Sequence, residues 1–252
     1  IMAGGALPTP FFLMRQGLCG SSGQLGKNLT LHPSGGLSAI FDENIEGRKY
    51  IPQGYGCDEF VKDGILLSSA QADINYASMM FPFGGDRLME VMDGLDHMGG
   101  FAILIADQTT GRVLVEHDGS AAVHYQLTQK DVDRYHRALV KLSEICWAAG
   151  AKRIHPAIFG WPSIDSRKDF QRFTKTKLTA GDLLLTSYHP LGTCKMGPDP
   201  KKSVVDLNHQ AHDLPGLFIV DGSTVSGPLG VNPQLTIMAM ATRAAEKIHD
   251  LL

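Results

Sequence analysis

The 252-residue chain has little net charge: 23 Lys and Arg stand against 26 Asp and Glu, for a formal charge of -3. So small a balance creates no field that would hold a polyanion, and nucleic acid is not an expected partner. Long apolar runs are missing as well. None reaches the roughly 18 residues that a membrane span needs, and no basic segment leads into an apolar one of signal-peptide form. Cysteine is scarce, at four residues: Cys19, Cys57, Cys146 and Cys194. None forms a C-x-x-C pair, which argues against zinc-ribbon and thioredoxin-type sites, and a disulfide framework does not suit this length. Four free thiols are expected, which lean towards a reducing, cytoplasmic setting without fixing a location. No metal site is expected. A P-loop, a G-x-S-x-G elbow, an H-E-x-x-H helix and a G-x-G-x-x-G unit are all absent.

What remains is ordinary for a folded protein: 43% hydrophobic residues, with 28 Gly and 13 Pro to supply turns. The length suits one large domain or two small ones. Three stretches differ in character. Residues 1–33 read as strand, turn and short helix. Ile1-Met2-Ala3-Gly4-Gly5 looks like the end of a buried strand entering a turn, and Thr9 is expected to cap a helix with Pro10 in its first turn, carrying Phe11 to Met14 inward. Because Ile1 is not a start methionine and its strand needs partners, the chain is expected to be a piece of a longer protein or half of a split one.

Residues 34–185 read as strands followed by a helix without strict alternation, which favours an antiparallel sheet backed by helices. Phe101–Ala106 and Arg112–Val115 are expected to form a hairpin across Asp107–Gly111, with Ala122–Gln126 as a further strand. Thr128 and Asp131 suggest a capping box, and Val132, Tyr135, Leu139, Leu142 and Cys146 share one face of the helix that follows. Tyr76–Phe83 suits either ordinary core or an apolar pocket. Residues 186–252 hold a turn-rich loop, Ser187–Gly197, then a buried strand, Gly216–Val220, ending in Asp221-Gly222. After a Gly/Pro loop, Asn232-Pro233 opens a helix whose first half is apolar all round, so its burial is expected.

Two features suggest chemistry. The N-terminus of that last helix offers unpaired N–H groups and the positive end of its dipole, which favour an anion or an electron-rich carbonyl. His189, held extended ahead of Pro190, has a restrained direction and the acid–base range of a general base. His209, His212 and His249 look like exposed surface residues.

Together the motifs point further. His189-x-x-Gly-Thr-Cys-x-Met-Gly197, Val204-Val205-Asp206, Gly216–Ser223 and Gly230-x-Asn232-Pro233 resemble the C-terminal part of the glucose-methanol-choline (GMC) flavoprotein oxidoreductases. Gly5–Pro10 with Gly17-Leu18 resembles that family's second signature, departing at Phe12, Gln16 and Cys19, and Gly26–Leu29 with His32 also fits. These motifs cover roughly the two ends of the chain. The middle matches only in layout. Leu229–Pro233 is closer to the long-chain alcohol oxidase branch than to the sugar oxidases.

The resemblance implies a mixed α+β and α/β architecture. Residues 1–33 and 186–252 would complete a Rossmann-like FAD-binding domain, and 34–185 would form the substrate-binding domain. It implies oxidation of a primary or secondary alcohol to a carbonyl by hydride transfer to flavin N5. His189 matches the catalytic base and Asn232 its partner on the substrate oxygen. Pro233, Gln234 and Leu235 would face the flavin, with Asn232, Asp221 and Gly222 beside the cofactor and Ala3 and Gly4 near its adenosine half. The pyrophosphate-binding G-x-G-x-x-G unit of the family is missing. The expected partners are therefore an alcohol and a missing N-terminal segment or separate chain, without which the chain is expected to be inactive. The electron acceptor is not specified. Two other readings stand: a non-catalytic binding or assembly module that keeps the family shape, and a hydrolase pairing His189 with Ser187 or Ser223.

Overall fold

The computed structural model describes residues 1–49, 51–70 and 74–251. Its helices are α1 (Pro8–Arg15), α2 (Ile74–Met79), α3 (Asp86–Asp93), α4 (Gln129–Ala148), α5 (Arg167–Thr174) and α6 (Gln234–His249). Its strands are β1 (Lys27–Leu29), β2 (Ser34–Ile40), β3 (Gly56–Cys57), β4 (Ile65–Ser69), β5 (Met98–Ile105), β6 (Gly111–Val115), β7 (Ala121–His124) and β8 (Arg153–Pro156). They form an α+β fold of two compact units. One comprises Ile1–His32, Asp107–Gln126 and Ser187–Leu252; the other comprises Pro33–Ala106 and Leu127–Thr186.

The second unit is a five-stranded antiparallel sheet, in the order β3-β4-β5-β2-β8, covered by α4. Leu37, Ala39, Leu67, Ile103 and Ile105 meet Val132, Tyr135, Leu139, Leu142 and Cys146 in its core, the helical face that the 3.6-residue spacing picks out. The Thr128 hydroxyl oxygen accepts from the Asp131 amide at 3.3 Å and its proton goes to the Asp131 carboxylate at 2.8 Å, which starts α4 with Asp in the first turn. Ser166 caps α5 in the same way, accepting from the Asp169 amide at 3.1 Å. The polar segment around α5 carries no legible period, yet Phe173 is fully buried with its ring edge-on to Trp161 and His136. Ala77 and Phe81 pack with Val91, Leu95 and Met98 in a smaller core. The Tyr76 side chain lies outside the described residues.

The first unit is assembled from three separated segments. Met2 pairs in parallel with Ile219, and β1, β6 and β7 form an antiparallel sheet. Leu13, Cys19, Cys194, Val204, Val205, Ala211 and Ile219 form its core. Burial pushes the Cys146 and Cys194 thiols up to about 12, so they are packing groups rather than nucleophiles.

Several expectations are corrected. Phe101–Ala106 and Arg112–Val115 are not a hairpin: β5 pairs with β2 and β4, while β6 pairs with β1 and β7. The residues between them carry the chain from one unit to the other. Residues 107–126 therefore belong with the first unit and not with the expected 34–185 segment. In α1, Pro8 rather than Thr9 opens the helix, with no side-chain cap. Thr9 lies inside it because its hydroxyl is taken by Asp221, and Phe12 faces outward at 49% exposed. His209 is buried, its Nδ1 on the Ile219 carbonyl at 3.0 Å, and His212 is half-buried beside Ser203.

The last helix departs most. Asn232 does not cap it; Pro233, already in a helical conformation, is the boundary residue, and no side chain caps the first turn. Nor is its apolar first half buried: Leu235 is 79% and Met238 56% exposed, and Ala244 is the buried residue of the helix. All-round apolarity predicts burial against something, and the described residues cover only one side of this helix.

Gly36, in the middle of β2, shows how tightly the sheet is drawn. A Cβ there would stand 1.9 Å from the Phe101 carbonyl oxygen on β5. Gly36→Ala is expected to destabilise the protein by about 3 kcal/mol, read as a lower urea midpoint at unchanged slope. An unchanged midpoint would show that β2 and β5 are not in this register.

Candidate active site

The site is built from the first unit. Asp221 ends the Phe218–Val220 segment, and its carboxylate accepts from the Gly5 amide at 2.9 Å, the Thr9 hydroxyl at 2.6 Å and the Ser223 amide at 2.8 Å. The last of these opens a short 3-10 turn at Gly222–Thr224. Gly4 donates its amide to the Thr9 hydroxyl at 3.0 Å. Ala3, Gly4, Asp221 and Gly222 are thus brought to one place by backbone pairing and one carboxylate, and Ala3 and Gly4 are exposed there.

Gly222 is the crossing point. A Cβ on it would stand 3.1 Å from Leu191 Cδ2 and 3.3 Å from both Ile237 Cδ1 and the Pro190 carbonyl oxygen. Only a residue without a side chain lets the 189–191 loop and the first turns of α6 close on the Asp221 turn at this spacing. His189 follows from that geometry: it precedes Pro190 in a loop held by Leu191, which exchanges backbone hydrogen bonds with Thr30 at 3.0 and 3.1 Å.

The His189 ring is half-buried. Its Nδ1 is enclosed and without a hydrogen-bond partner among the described residues, leaving Nε2 as the nitrogen offered to a ligand. Burial holds its pKa below the ordinary imidazole value, and the neighbouring His32 ring opposes a second positive charge. The two ring centres are 6.1 Å apart, edge to face. A neutral imidazole near pH 7 is the form that accepts a proton.

Asn232, Gln234 and Leu235 are exposed and Pro233 is buried. The hydrogen bonds of the described residues include none between His189 and Asn232. The loops that carry them are linked through His32, whose Nε2 accepts from the Leu229 amide at 2.7 Å and whose Nδ1 lies 3.4 Å from the His189 carbonyl oxygen. Sequence reading placed His32 within the family pattern but gave it no role. Its position before a proline carries no chemical signal, and the partners lie 157 and 197 residues away. Asp107, also missed, sits beneath His32 and accepts from the Leu31 and His32 amides at 2.9 and 3.1 Å and from the Tyr125 hydroxyl at 2.6 Å.

The geometry disfavours a serine hydrolase. The Ser187 hydroxyl donates to the Leu31 carbonyl, and Ser223 is fully buried. Among the described residues no group of three or more His, Cys, Asp or Glu side chains could hold a metal ion. None of the described helices is long and apolar enough to cross a membrane.

Comparison with known proteins gives this arrangement a family. The C-terminal family model of the GMC oxidoreductases matches residues 107–241, more than half of the chain, and the chain belongs to that family. Its members are FAD-dependent oxidoreductases. An uncharacterized GMC-type oxidoreductase of Mycobacterium tuberculosis is 31% identical over 248 residues, which is 98% of this chain and 39% of that protein. A long-chain-alcohol oxidase of Arabidopsis thaliana is 26% identical over 277 residues, 100% of this chain and 36% of the relative. The chain therefore spans well under half the length of both. The fold matches the crystal structure of pyridoxine 4-oxidase from Mesorbium loti, with a TM-score of 0.69 at 21% identity, covering 98% of this chain and 50% of that one.

Histidines held below the ordinary value of 6.5 make stability depend on pH. His32 and His189, with His136, His155 and His209, are all shifted down mainly by burial. Between each folded value and 6.5 the unfolded chain binds protons that the folded chain does not, so stability is fully present above about 6.5 and falls as pH falls through that window. The urea midpoint is expected to drop on acidification below about pH 6.5, less steeply in His32→Gln. A midpoint that rises on acidification would reverse the assignment.

Proposed function

We propose that this chain supplies the proton-accepting loop and the cofactor-facing helix of an FAD-dependent oxidoreductase that oxidises a primary or secondary alcohol to a carbonyl. The single observation that carries the reading is His189: a neutral, half-buried imidazole with one nitrogen enclosed, on a loop drawn against the start of α6 across Gly222. The long-chain-alcohol oxidase among the relatives supports an alcohol as substrate.

The residues present fit a bound flavin. The enclosed His189 Nδ1 has no hydrogen-bond partner among the described residues, and the first turn of α6 presents backbone N–H groups beside exposed apolar side chains, with Leu235 at 79%. FAD, when bound, supplies the acceptor for the hydride leaving the alcohol carbon. His189 Nε2 takes the hydroxyl proton. The Asn232 amide orients the alcohol oxygen. The N–H groups of Gln234 and Leu235, at the positive end of the helix dipole, stabilise developing negative charge. Asp221 and Gly222 hold the edge of the cofactor site, with Ala3 and Gly4 beside them towards its adenosine half. In this reading residues 34–185, apart from the returning 107–126 segment, are the substrate-binding unit, and 1–33 with 186–252 belong to the cofactor-binding unit.

The partners in this reading are the alcohol and an FAD-binding segment, in the same polypeptide or a separate one, that supplies the missing G-x-G-x-x-G unit and covers the apolar first half of α6. Without that segment the chain is inactive. A second reading, a non-catalytic assembly module of the same shape, would hold if no FAD-binding segment accompanies the chain. The visible absorption spectrum of the purified protein separates them, since flavin bands support the oxidoreductase and their absence from the fully assembled protein supports the module.

In the flavin-loaded protein, His189→Ala is expected to lower turnover by roughly 10²- to 10⁴-fold. Asn232→Ala is expected to lower it on the order of tenfold to a hundredfold. Steady-state rates with a panel of alcohols measure both. Unchanged turnover in His189→Ala ends the assignment, and a larger loss in Asn232→Ala exchanges the two roles.

A further inference from the structure

His32 is the most constrained residue of the first unit. Its side chain is fully buried, and its backbone is left-handed at φ +49°. A β-carbon disfavours that region, and the following Pro33 disfavours compact conformations at the residue before it. A residue kept in such a state costs on the order of 1–3 kcal/mol and persists only where its surroundings over-determine it. Here they do. Asp107 fixes the amides of Leu31 and His32 from below, and both ring nitrogens face partners above.

Those partners belong to the two loops of the proposed chemistry. The 2.7 Å contact has the Leu229 amide as donor, so Nε2 carries the lone pair. A neutral ring then bears its proton on Nδ1, which donates to the His189 carbonyl oxygen at a longer 3.4 Å. Burial disfavours the doubly protonated ring, and a second proton would also remove the acceptor that Leu229 uses. We propose that His32 is a positioning residue, a single-tautomer clamp that fixes the His189 loop and the Leu229–Asn232 loop to each other while touching no substrate itself. The functional meaning of the clamp rests on the roles given above to His189 and Asn232. Its existence does not.

The two bonds separate by substitution. In His32→Gln the side-chain oxygen replaces Nε2 as acceptor for Leu229, and in His32→Asn the side-chain nitrogen replaces Nδ1 as donor to His189. NMR on the ¹⁵N-labelled 252-residue protein reads both. The His32 ring is expected as the Nδ1–H tautomer. Exchange of the Leu229 amide with D₂O is expected to stay within about twofold of wild type in His32→Gln and to speed up by about tenfold in His32→Asn, the effect of one hydrogen bond. Both variants lose the His32 ring beside His189, so the His189 signals are compared between them, and a further movement is expected in His32→Gln, which also loses the bond to the His189 carbonyl. A His32→Ala protein that fails to fold leaves the Gln and Asn pair to decide. An Nε2–H tautomer, Leu229 exchange indifferent to residue 32, or equal loss in the Gln and Asn proteins overturns the clamp. His189→Ala keeps its backbone carbonyl and is expected to leave Leu229 exchange unchanged, so a failed oxidoreductase reading shows in turnover alone.

Discussion

The carboxylate of Asp221 is the interaction on which the first unit depends. It accepts three hydrogen bonds, two of them from residues more than 200 positions earlier in the chain. Hydrogen bonds to an ionised acceptor are about twice as strong as neutral ones, and here one charge sets three things together. It lays residues 2–5 along the Phe218–Val220 segment, fixes the entry of α1 through Thr9, and starts the turn that puts Gly222 against Pro190, Leu191 and Ile237. The placement of His189 and of the α6 N-terminus follows from that turn.

Beside Asp221 a second carboxylate works in the same manner. Asp107 is buried, yet its oxygens are occupied by two amides and a tyrosine hydroxyl, the condition under which a buried charge is tolerable. The two acids are structural, and the imidazoles they help to place are kept neutral by burial. The first unit therefore separates its carboxylates, which hold backbone, from its buried imidazoles, whose charged form burial disfavours.

How much of this was legible in the sequence varies with the length scale of the cause. The α4 face from Val132 to Cys146 was readable because helical period and burial coincide along one continuous segment. The loop from His189 to Gly197 and the Asp221-Gly222 turn were readable as a pattern of unusual residues. The pairing of β6 with β1 was not, because adjacency in sequence makes a hairpin with β5 the simplest expectation and only a fold built from separated segments overrules it. Apolarity gave α6 its tendency to be covered but not the identity of the cover. His32 was invisible as an actor because its importance lies in two partners that meet it only after folding.

The discontinuity of the first unit also sets a clock. Leu13 is buried against Val204 and Ile219, which a ribosome adding about 5–20 residues per second reaches roughly 10–40 s after it. Through that interval α1 has its apolar face made but lacks its Val204 and Ile219 partners. The second unit, whose β2, β4, β5 and α4 lie between residues 34 and 148, can collect its sheet and helix meanwhile. Synthesis thus delivers most of the second unit before the residues that close the site.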